Sequence, residues 1–440
     1  MIPVLTTEEM RAADAAAASS LAPGVLLARA GVAVGSVAAT MLGRTYGRRV
    51  AIIVGPGFNG VDGHLAGEYL QQRGARVIEY SLTELPGAIE GVDLIIDAAF
   101  GIGCSRPFVA PRVIGDIPVL AVDLPSGVES DTGELLGTPL VADVTIALGA
   151  LKPAHFLSPS AQFCGEVVLN TLDIPTHSSI NLIEASDVSQ MIQTNSTDHK
   201  WMHALYVAAG SQPMSGAAAL VCAGALAAGA SMVRLRPFGE LQRERDWPDE
   251  VVLEANDEID ERCRAVVIGP GVGQGSAAQA FADHVVRSSR VPVVLDADGI
   301  TRERIALGQH GVPMVVTPHG GEFRRLLVSP SVHPIVDARD VARELGVTVL
   351  LKGPLTVVAS PEGEVRLVTS GTPALATAGT GDVLAGIIGA ALTRGLNPLD
   401  AASLGACLHG LAGQSLAPYG QASRMDDAVR QVLRELDHGN

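Results

Sequence analysis

At 440 residues the chain exceeds what one ordinary hydrophobic core fills, so two domains are expected. Hydrophobic residues make up 47% and charged residues 18% of it, a balance that excludes extended disorder. Lys+Arg 31 against Asp+Glu 47 leaves a formal net charge of -16 without any basic run, which excludes nucleic acid as an expected partner; a phosphorylated ligand must be held by local N–H groups, a few lysines and metal ions.

Thr6 to Ala18 reads as a helix capped by Thr6 or Thr7, with Glu8 and Glu9 in its first turn. Acidic residues and the lack of an apolar core in this stretch argue against a signal peptide. Cys104, Cys164, Cys222, Cys263 and Cys407 are an odd number without CxxC spacing, so buried, reduced thiols and a cytoplasmic setting are expected.

From Val50 onward short β-branched runs alternate with longer amphipathic ones. Val50 to Val54, Ala75 to Tyr80, Leu94 to Asp97, Val119 to Asp123 and Val144 to Leu148 have the apolar character of parallel strands buried on both faces, and predict a three-layer α/β domain. After the first strand, Gly55-Pro56-Gly57-Phe58-Asn59-Gly60-Val61-Asp62-Gly63 contains a formal G-x-G-x-x-G, with Glu79 placed where a ribose-binding acid could lie; a Rossmann oxidoreductase is one reading of it. Two further strands end in Asp97 and Asp123. The carboxyl ends of strands in a doubly wound sheet share one crevice, so Asn59, Asp97, Asp123 and Ser126 are expected to converge there and to suit a hard cation. Asp123 before Leu-Pro is also a plain turn former, and Lys152 before Pro153 is either a lysine of the same site or a solvated surface lysine.

Gly55 to Gly63, Asp97 to Pro107 and Val122 to Gly133 together resemble the signature loops of the YjeF N-terminal family, the NAD(P)H-hydrate epimerase domain, a Rossmann-like fold. The resemblance implies potassium held by Asn59, Asp97 and Ser126. It implies hydrated NADH or NADPH lying along Phe58, Asn59, Gly60, Val61 and Asp62 and along Gly101, Ile102, Gly103, Cys104, Ser105, Arg106 and Pro107, with Asp123 nearest the chemistry. The chain departs from the family at Phe58 and Val61, where Asn and Gly are usual, and at Ala28, where Glu is usual. Phe58 lacks the amide's donor and acceptor, and Val61 disfavours a positive φ.

Glu184 to Lys200 loses aliphatic residues and gains Ser, Asn, Gln, Thr and Asp, which places the junction around Gln193 and the domains at 1–193 and 194–440. Met214 to Val233 carries no charge but is mostly Ala and Gly, and reads as one helix buried against a sheet rather than a membrane span. Strands are expected at Leu205 to Ala208, Val251 to Glu254, Ala265 to Ile268, Val293 to Leu295, Met314 to Val316 and Thr348 to Lys352. A hairpin follows, Thr356 to Ala359 with Val365 to Val368.

Ala376 to Gly386 carries the densest signal. Gly379-Thr380-Gly381-Asp382 opens an apolar helical run, Val383 to Leu392, so backbone N–H groups and the helix's positive end meet beside a carboxylate; Asp382 could instead be an N-cap and nothing more. With Gly210 to Ala217, Gly269 to Gly273, Asp296 to Gly299, Thr317 to Glu322 and Lys352 to Thr356, this stretch resembles the ADP/ATP-dependent NAD(P)H-hydrate dehydratases, which are ribokinase-like. Hydroxide leaves poorly from a carbinol, so a nucleotide-dependent dehydratase is expected to phosphorylate the hydroxyl first; Asp382 would take the hydroxyl proton. The resemblance carries nucleotide binding onto Lys352, Gly353, Pro354, Leu355, Thr356 and Gly381. It carries hydrate binding onto Ala217, Gly273, His319 and Asp382, and implies magnesium near Asp296 and Glu322.

The two resemblances together imply a bifunctional repair enzyme of two α/β domains. Such an enzyme is expected to epimerise the R and S forms of hydrated NADH or NADPH and to dehydrate the S form at the expense of ADP or ATP, giving AMP and phosphate when ADP is used. The same reading expects a homo-oligomer and no membrane partner. The alternative is a ribokinase-like small-molecule kinase fused to a non-catalytic Rossmann-like module.

Overall fold

Runs of Val, Ile and Ala with both faces apolar become parallel strands because both faces of a parallel sheet are covered by helices. The computed structural model describes residues 1–192, 199–239, 248–308, 311–329 and 333–438. They form two compact units, Ile2–Ser178 and Ser179–Asn440 with Met1.

The N-terminal unit contains α1 (Thr7–Ser20), α2 (Val25–Leu42), β1 (Arg49–Val54), α3 (Phe58–Gln71), β2 (Arg76–Ser81), β3 (Leu94–Ala98), β4 (Val119–Val122), β5 (Val144–Leu148) and β6 (Glu166–Asn170). Helix α1 starts with the expected capping box: Glu9 N–H donates to Thr6 Oγ1 at 3.3 Å and Thr6 N–H to Glu9 Oε2 at 2.8 Å. The strands lie in the order β6-β5-β4-β3-β1-β2, every pairing parallel. Chain order reverses between β1 and β3, so the crevice beyond their carboxyl ends is the topological switch point. Helix α2 has the length and composition to cross a membrane. Its Ala30, Ala33, Val34 and Ala38 nevertheless belong to the core that buries Ile52, Ala66, Leu70 and Ile96.

The C-terminal unit contains β7 (Ile180–Leu182), β8 (Ala204–Ala208), α4 (Ser215–Ala227), β9 (Met232–Leu235), β10 (Val251–Leu253), β11 (Ala265–Ile268), β12 (Val293–Leu295), β13 (Met314–Val316), β14 (Thr348–Leu351), β15 (Thr356–Ala359), β16 (Val365–Val368), α5 (Thr380–Thr393) and α6 (Pro398–Leu416). Its strands run β7-β16-β15-β14-β13-β12-β11-β8-β9-β10. Pairing is antiparallel at β14/β15 and β15/β16, the expected hairpin, and parallel elsewhere.

Two expectations change. Met214 to Val233 is not one helix: α4 ends at Ala227, Gly229 turns at φ 91°, and the chain re-enters the sheet as β9. Gln193 lies outside the described residues. The junction falls between Ser178 and Ser179, ahead of the polar stretch, because β7 pairs with β16 and so joins the C-terminal sheet.

Helices α4 and α5 pack at backbone contact. A Cβ on Gly386 would stand 2.1 Å from Val221 O and 2.8 Å from Ala225 N, both main-chain atoms that cannot swing aside. Gly386→Ala is therefore expected to force the helices apart and cost about 1–3 kcal/mol, seen as a lower thermal midpoint for the C-terminal unit. An unchanged midpoint would show the contact to be slack.

Candidate active sites

In the N-terminal unit, Asp97 is the penultimate residue of β3 and is fully buried. It accepts hydrogen bonds from Ser126 N–H at 2.9 Å and Ser126 Oγ at 2.6 Å, and burial raises its pKa. Phe100 N–H donates to Ser126 Oγ at 2.8 Å, and Phe100 O lies 3.3 Å from that hydroxyl. Asn59, in the first turn of α3, donates Nδ2–H to Val122 O at 3.0 Å. A Cβ placed on Gly101 would sit 2.8 Å from Asp123 Oδ2 and 3.1 Å from Asn59 Oδ1, so these two side chains converge on the loop after β3. Of the four residues expected to converge, Asp97 meets Ser126 and Asn59 meets Asp123, the two pairs standing at opposite ends of the 97–101 segment. No cationic side chain pairs with Asp97 among the described residues, and its carboxylate stands with the Ser126 hydroxyl, beside which lies the Phe100 carbonyl. Those oxygen donors suit a hard cation.

Asp123 holds a left-handed φ of 68°, fixed from both sides. Lys152 Nζ pairs with Asp123 Oδ1 and donates to Leu148 O at 2.7 Å; Lys152 is wholly buried, which overturns the solvated-lysine reading. His155 accepts from Lys152 N–H at Nδ1, 3.0 Å, and donates Nε2–H to Asp123 O at 2.8 Å. Burial and then Lys152 push the imidazole pKa down to about 4, so it stays neutral.

Beside this array lies a cavity of about 1040 Å³, lined in part by Asp14, Phe58, Asn59, Asp62, Asp123 and Lys152. Gly101, Ile102, Gly103, Ser105 and Arg106 also line it; Gly60, Val61, Cys104 and Pro107 do not. Val61 sits in the helical first turn of α3, so the positive φ its β-branch would resist is not required. Asp14 and His155 escaped sequence reasoning, because neither has a local signal to distinguish it from an ordinary helix or loop residue.

In the C-terminal unit, Gly379 takes a left-handed φ of 92° as N-cap of α5, and Asp382 lies in the first turn rather than at the cap. Lys352, just past β14, donates Nζ–H to Asp296 Oδ1 at 2.8 Å, which Thr317 Oγ1 also reaches at 2.7 Å. A Cβ on Gly381 would be 3.3 Å from Lys352 Nζ, so the ammonium faces the helix's N-terminal turn. Burial, then the Asp296 charge, push the Asp382 pKa up to about 7, with Lys352 opposing. Beneath this turn His409, from α6, donates Nε2–H to Thr380 O at 2.9 Å; burial lowers its pKa to about 4. It is a second buried support that the sequence did not reveal.

Ala217 lies one helical turn before Leu220, whose Cδ1 would be 2.4 Å from a Cβ on Gly379, and a Cβ on Gly271 would meet Ala217 Cβ at 2.8 Å. The Gly271–Gly273 loop is held by Asp298 Oδ2, which accepts from Gly273 N–H at 2.9 Å. His319 is mostly exposed and its Nδ1 accepts from Gly321 N–H at 3.0 Å; its backbone bridges to Lys352. Glu322 Oε2 is engaged by His319 N–H at 3.0 Å. Gly353 and Pro354 are exposed, with Leu355 and Thr356 half-buried at the start of β15.

Fold and site define an α/β enzyme of two units: a doubly wound sheet with a buried Asp–Lys pair at its switch point, and a ribokinase-like sheet whose glycine-led helix presents a carboxylate beside a lysine. A family model described as NAD(P)H-hydrate dehydratase matches residues 205–431, and one described as YjeF-related protein N-terminus matches 23–87 and 78–154. The chain is similar to the bifunctional NAD(P)H-hydrate repair enzyme Nnr of Mycobacterium leprae (strain TN), at 36% identity over 97% of this chain and 98% of that one. A protein of the same name from Moorella thermoacetica is 31% identical over 99% and 97%. Among solved structures, an ADP/ATP-dependent NAD(P)H-hydrate dehydratase from Bacillus subtilis, co-crystallised with ATP/Mg2+, is similar at TM-score 0.52 and 27% identity, covering 59% of this chain and all of that one. The chain belongs to the family of bifunctional NAD(P)H-hydrate repair enzymes.

Proposed function

We propose that the N-terminal unit interconverts the R and S forms of hydrated NADH or NADPH and that the C-terminal unit dehydrates the S form at the expense of ADP or ATP. The observation that carries the second activity is Asp382, a carboxyl group poised near neutrality where the first N–H groups of α5 and Lys352 face the same point. Hydrate binding is assigned to Ala217, Gly273, His319 and Asp382, and nucleotide binding to Lys352–Thr356 with Gly381. Asp382 accepts the proton of the substrate hydroxyl as its oxygen attacks the terminal phosphoryl group. The N–H groups of the α5 turn and the Lys352 ammonium hold the phosphoryl oxygens. The carbon–oxygen bond then breaks with the electron pair going to phosphate, the neighbouring ring carbon loses a proton to the departing phosphate or to water, and that C–H pair becomes the restored ring double bond.

Magnesium would lie against Asp296, whose Oδ2 carries no hydrogen bond among the described residues, and take its other oxygens from phosphate and water; it would neutralise phosphate charge. Asn59, Asp97 and Ser126 would hold potassium, which would balance the buried Asp97 charge and fix the loop after β3. A homo-oligomer and a cytoplasmic setting complete the reading.

The deciding experiment supplies the full-length chain with the S form of hydrated NADH plus ADP or ATP and follows the absorbance of reduced nicotinamide. Its return, with one phosphate released per coenzyme, supports dehydration. Nucleotide consumption with a stable phosphorylated product would instead make the chain a small-molecule kinase.

Phe58 stands on the cavity wall with 76% of its surface exposed, so Phe58→Asn should change stability by less than about 0.5 kcal/mol. The amide restores one donor and one acceptor, worth about 0.5–1.5 kcal/mol, and should lower the epimerisation KM by roughly two- to tenfold. An unchanged KM would place the substrate away from this wall.

A further inference from the structure

The cavity of the N-terminal unit is lined by as many carboxyl groups as cations, but one of its carboxyl groups, Asp62, pairs with no cation among the described residues. Asp14, Asp62 and Asp123 all line it, against Arg11, Arg106 and Lys152. Of these, Lys152 is committed to Asp123. The guanidinium of Arg106 stands over the Phe100 ring, 5.3 Å from its centroid. Asp62 lies one turn beyond Asn59 on α3, is 7% exposed, and its Oδ1 is buried without a hydrogen-bond partner. A carboxylate in that state is costly; a carboxylic acid that donates to a ligand in the cavity is not.

Water adding to the ring double bond of a dihydronicotinamide places the hydroxyl on the carbon bonded to the ring nitrogen, because the nitrogen lone pair stabilises positive charge there. The hydroxyl is therefore that of a carbinolamine. Resting on the epimerase reading above, we propose that Asp62 is the general acid of epimerisation and the Asp123 carboxylate, held by Lys152, its complementary base. Asp62 protonates the hydroxyl as the carbon–oxygen bond breaks, and the nitrogen lone pair forms the iminium double bond while water departs. Water then adds to the opposite face, the double-bond electrons return to nitrogen, and Asp123 takes the proton of the incoming water. Bond breaking and making balance, nothing is oxidised or reduced, and the proton passes back to Asp62 through cavity water.

The surroundings of Asp62 agree with its role. Burial first, then the charges of Asp123 and Asp14, push the Asp62 pKa up to about 8. Asp14 is itself raised by burial, with Lys152 opposing, and His155 behind Asp123 stays neutral.

The test uses the full-length protein and the separated R form of hydrated NADH without nucleotide, following the S form by chromatography and subtracting the enzyme-free rate. Wild type should epimerise at a rate that falls as pH rises through about 8, since the acid form of Asp62 is then lost. Asp62→Asn should lower kcat at least 100-fold, keep KM, and lose the alkaline limb, with thermal unfolding showing that the unit still folds. An active wild type with Asp62→Asn equally fast, or with the alkaline limb intact, overturns the assignment alone. A wild type that fails to epimerise overturns the functional reading on which it stands.

Discussion

Asp382→Asn is expected to abolish dehydration while leaving the fold intact. The side chain is isosteric, and it makes no capping bond that the amide would have to replace, since Gly379 is the cap. Only the capacity to take a proton is lost, an effect of about 10²- to 10⁴-fold on kcat. The KM for nucleotide should hardly move, because the N–H groups of α5 and Lys352 remain. The pH profile gives a second check. Burial raises the Asp382 pKa to about 7, so the base form grows as pH increases through neutrality and wild-type turnover should climb over the same range. The variant's residual turnover should lack that climb. A variant with wild-type kcat would move the base elsewhere and leave the glycine-led turn as a phosphate cradle alone.

Most of the framework was legible because its strands are parallel and buried on both faces, which writes short apolar runs into the sequence. The exceptions are informative. Strand β9 was hidden because Ala- and Gly-rich apolar sequence has no period to separate a buried helix from the strand after it; Gly229 was the punctuation. Strand β7 carries little sequence signal because it is short and its partner β16 lies far along the chain. The site divides in the same way. Asp97 and Ser126 could be placed from the rule that strand ends share a crevice, and Asp382 from the glycines before it. Lys152, by contrast, carries no local mark of burial: its partner Asp123 is remote in sequence and meets it only once β4 and β5 lie side by side. His409 under Thr380, and Asp14 on the cavity wall, belong to the same class of contact.

Lys152→Met should be the most destabilising single change in the N-terminal unit. Methionine can follow the lysine stem, so little packing is lost. What disappears is the ammonium that balances Asp123 and ties it to Leu148 O, leaving the carboxylate with Leu148 N–H at 3.4 Å and Ile102 N–H at 3.3 Å, both long contacts. Removing one partner of a buried ion pair costs about 3–5 kcal/mol, most of it the stranded charge. For a unit of this size that is a fall of roughly 10 °C in its thermal midpoint. Asp123 is also held in a left-handed conformation, and His155, which clasps its carbonyl, depends on the Lys152 backbone rather than on the ammonium. The loop should therefore keep its course, and the loss should be electrostatic. Adding Asp123→Asn to Lys152→Met removes the stranded charge and should recover a large part of the stability, although epimerisation stays lost. A double-mutant cycle on thermal unfolding measures this directly. If the two changes simply add, the pair is not coupled, and Lys152 owes its burial to packing instead of to Asp123.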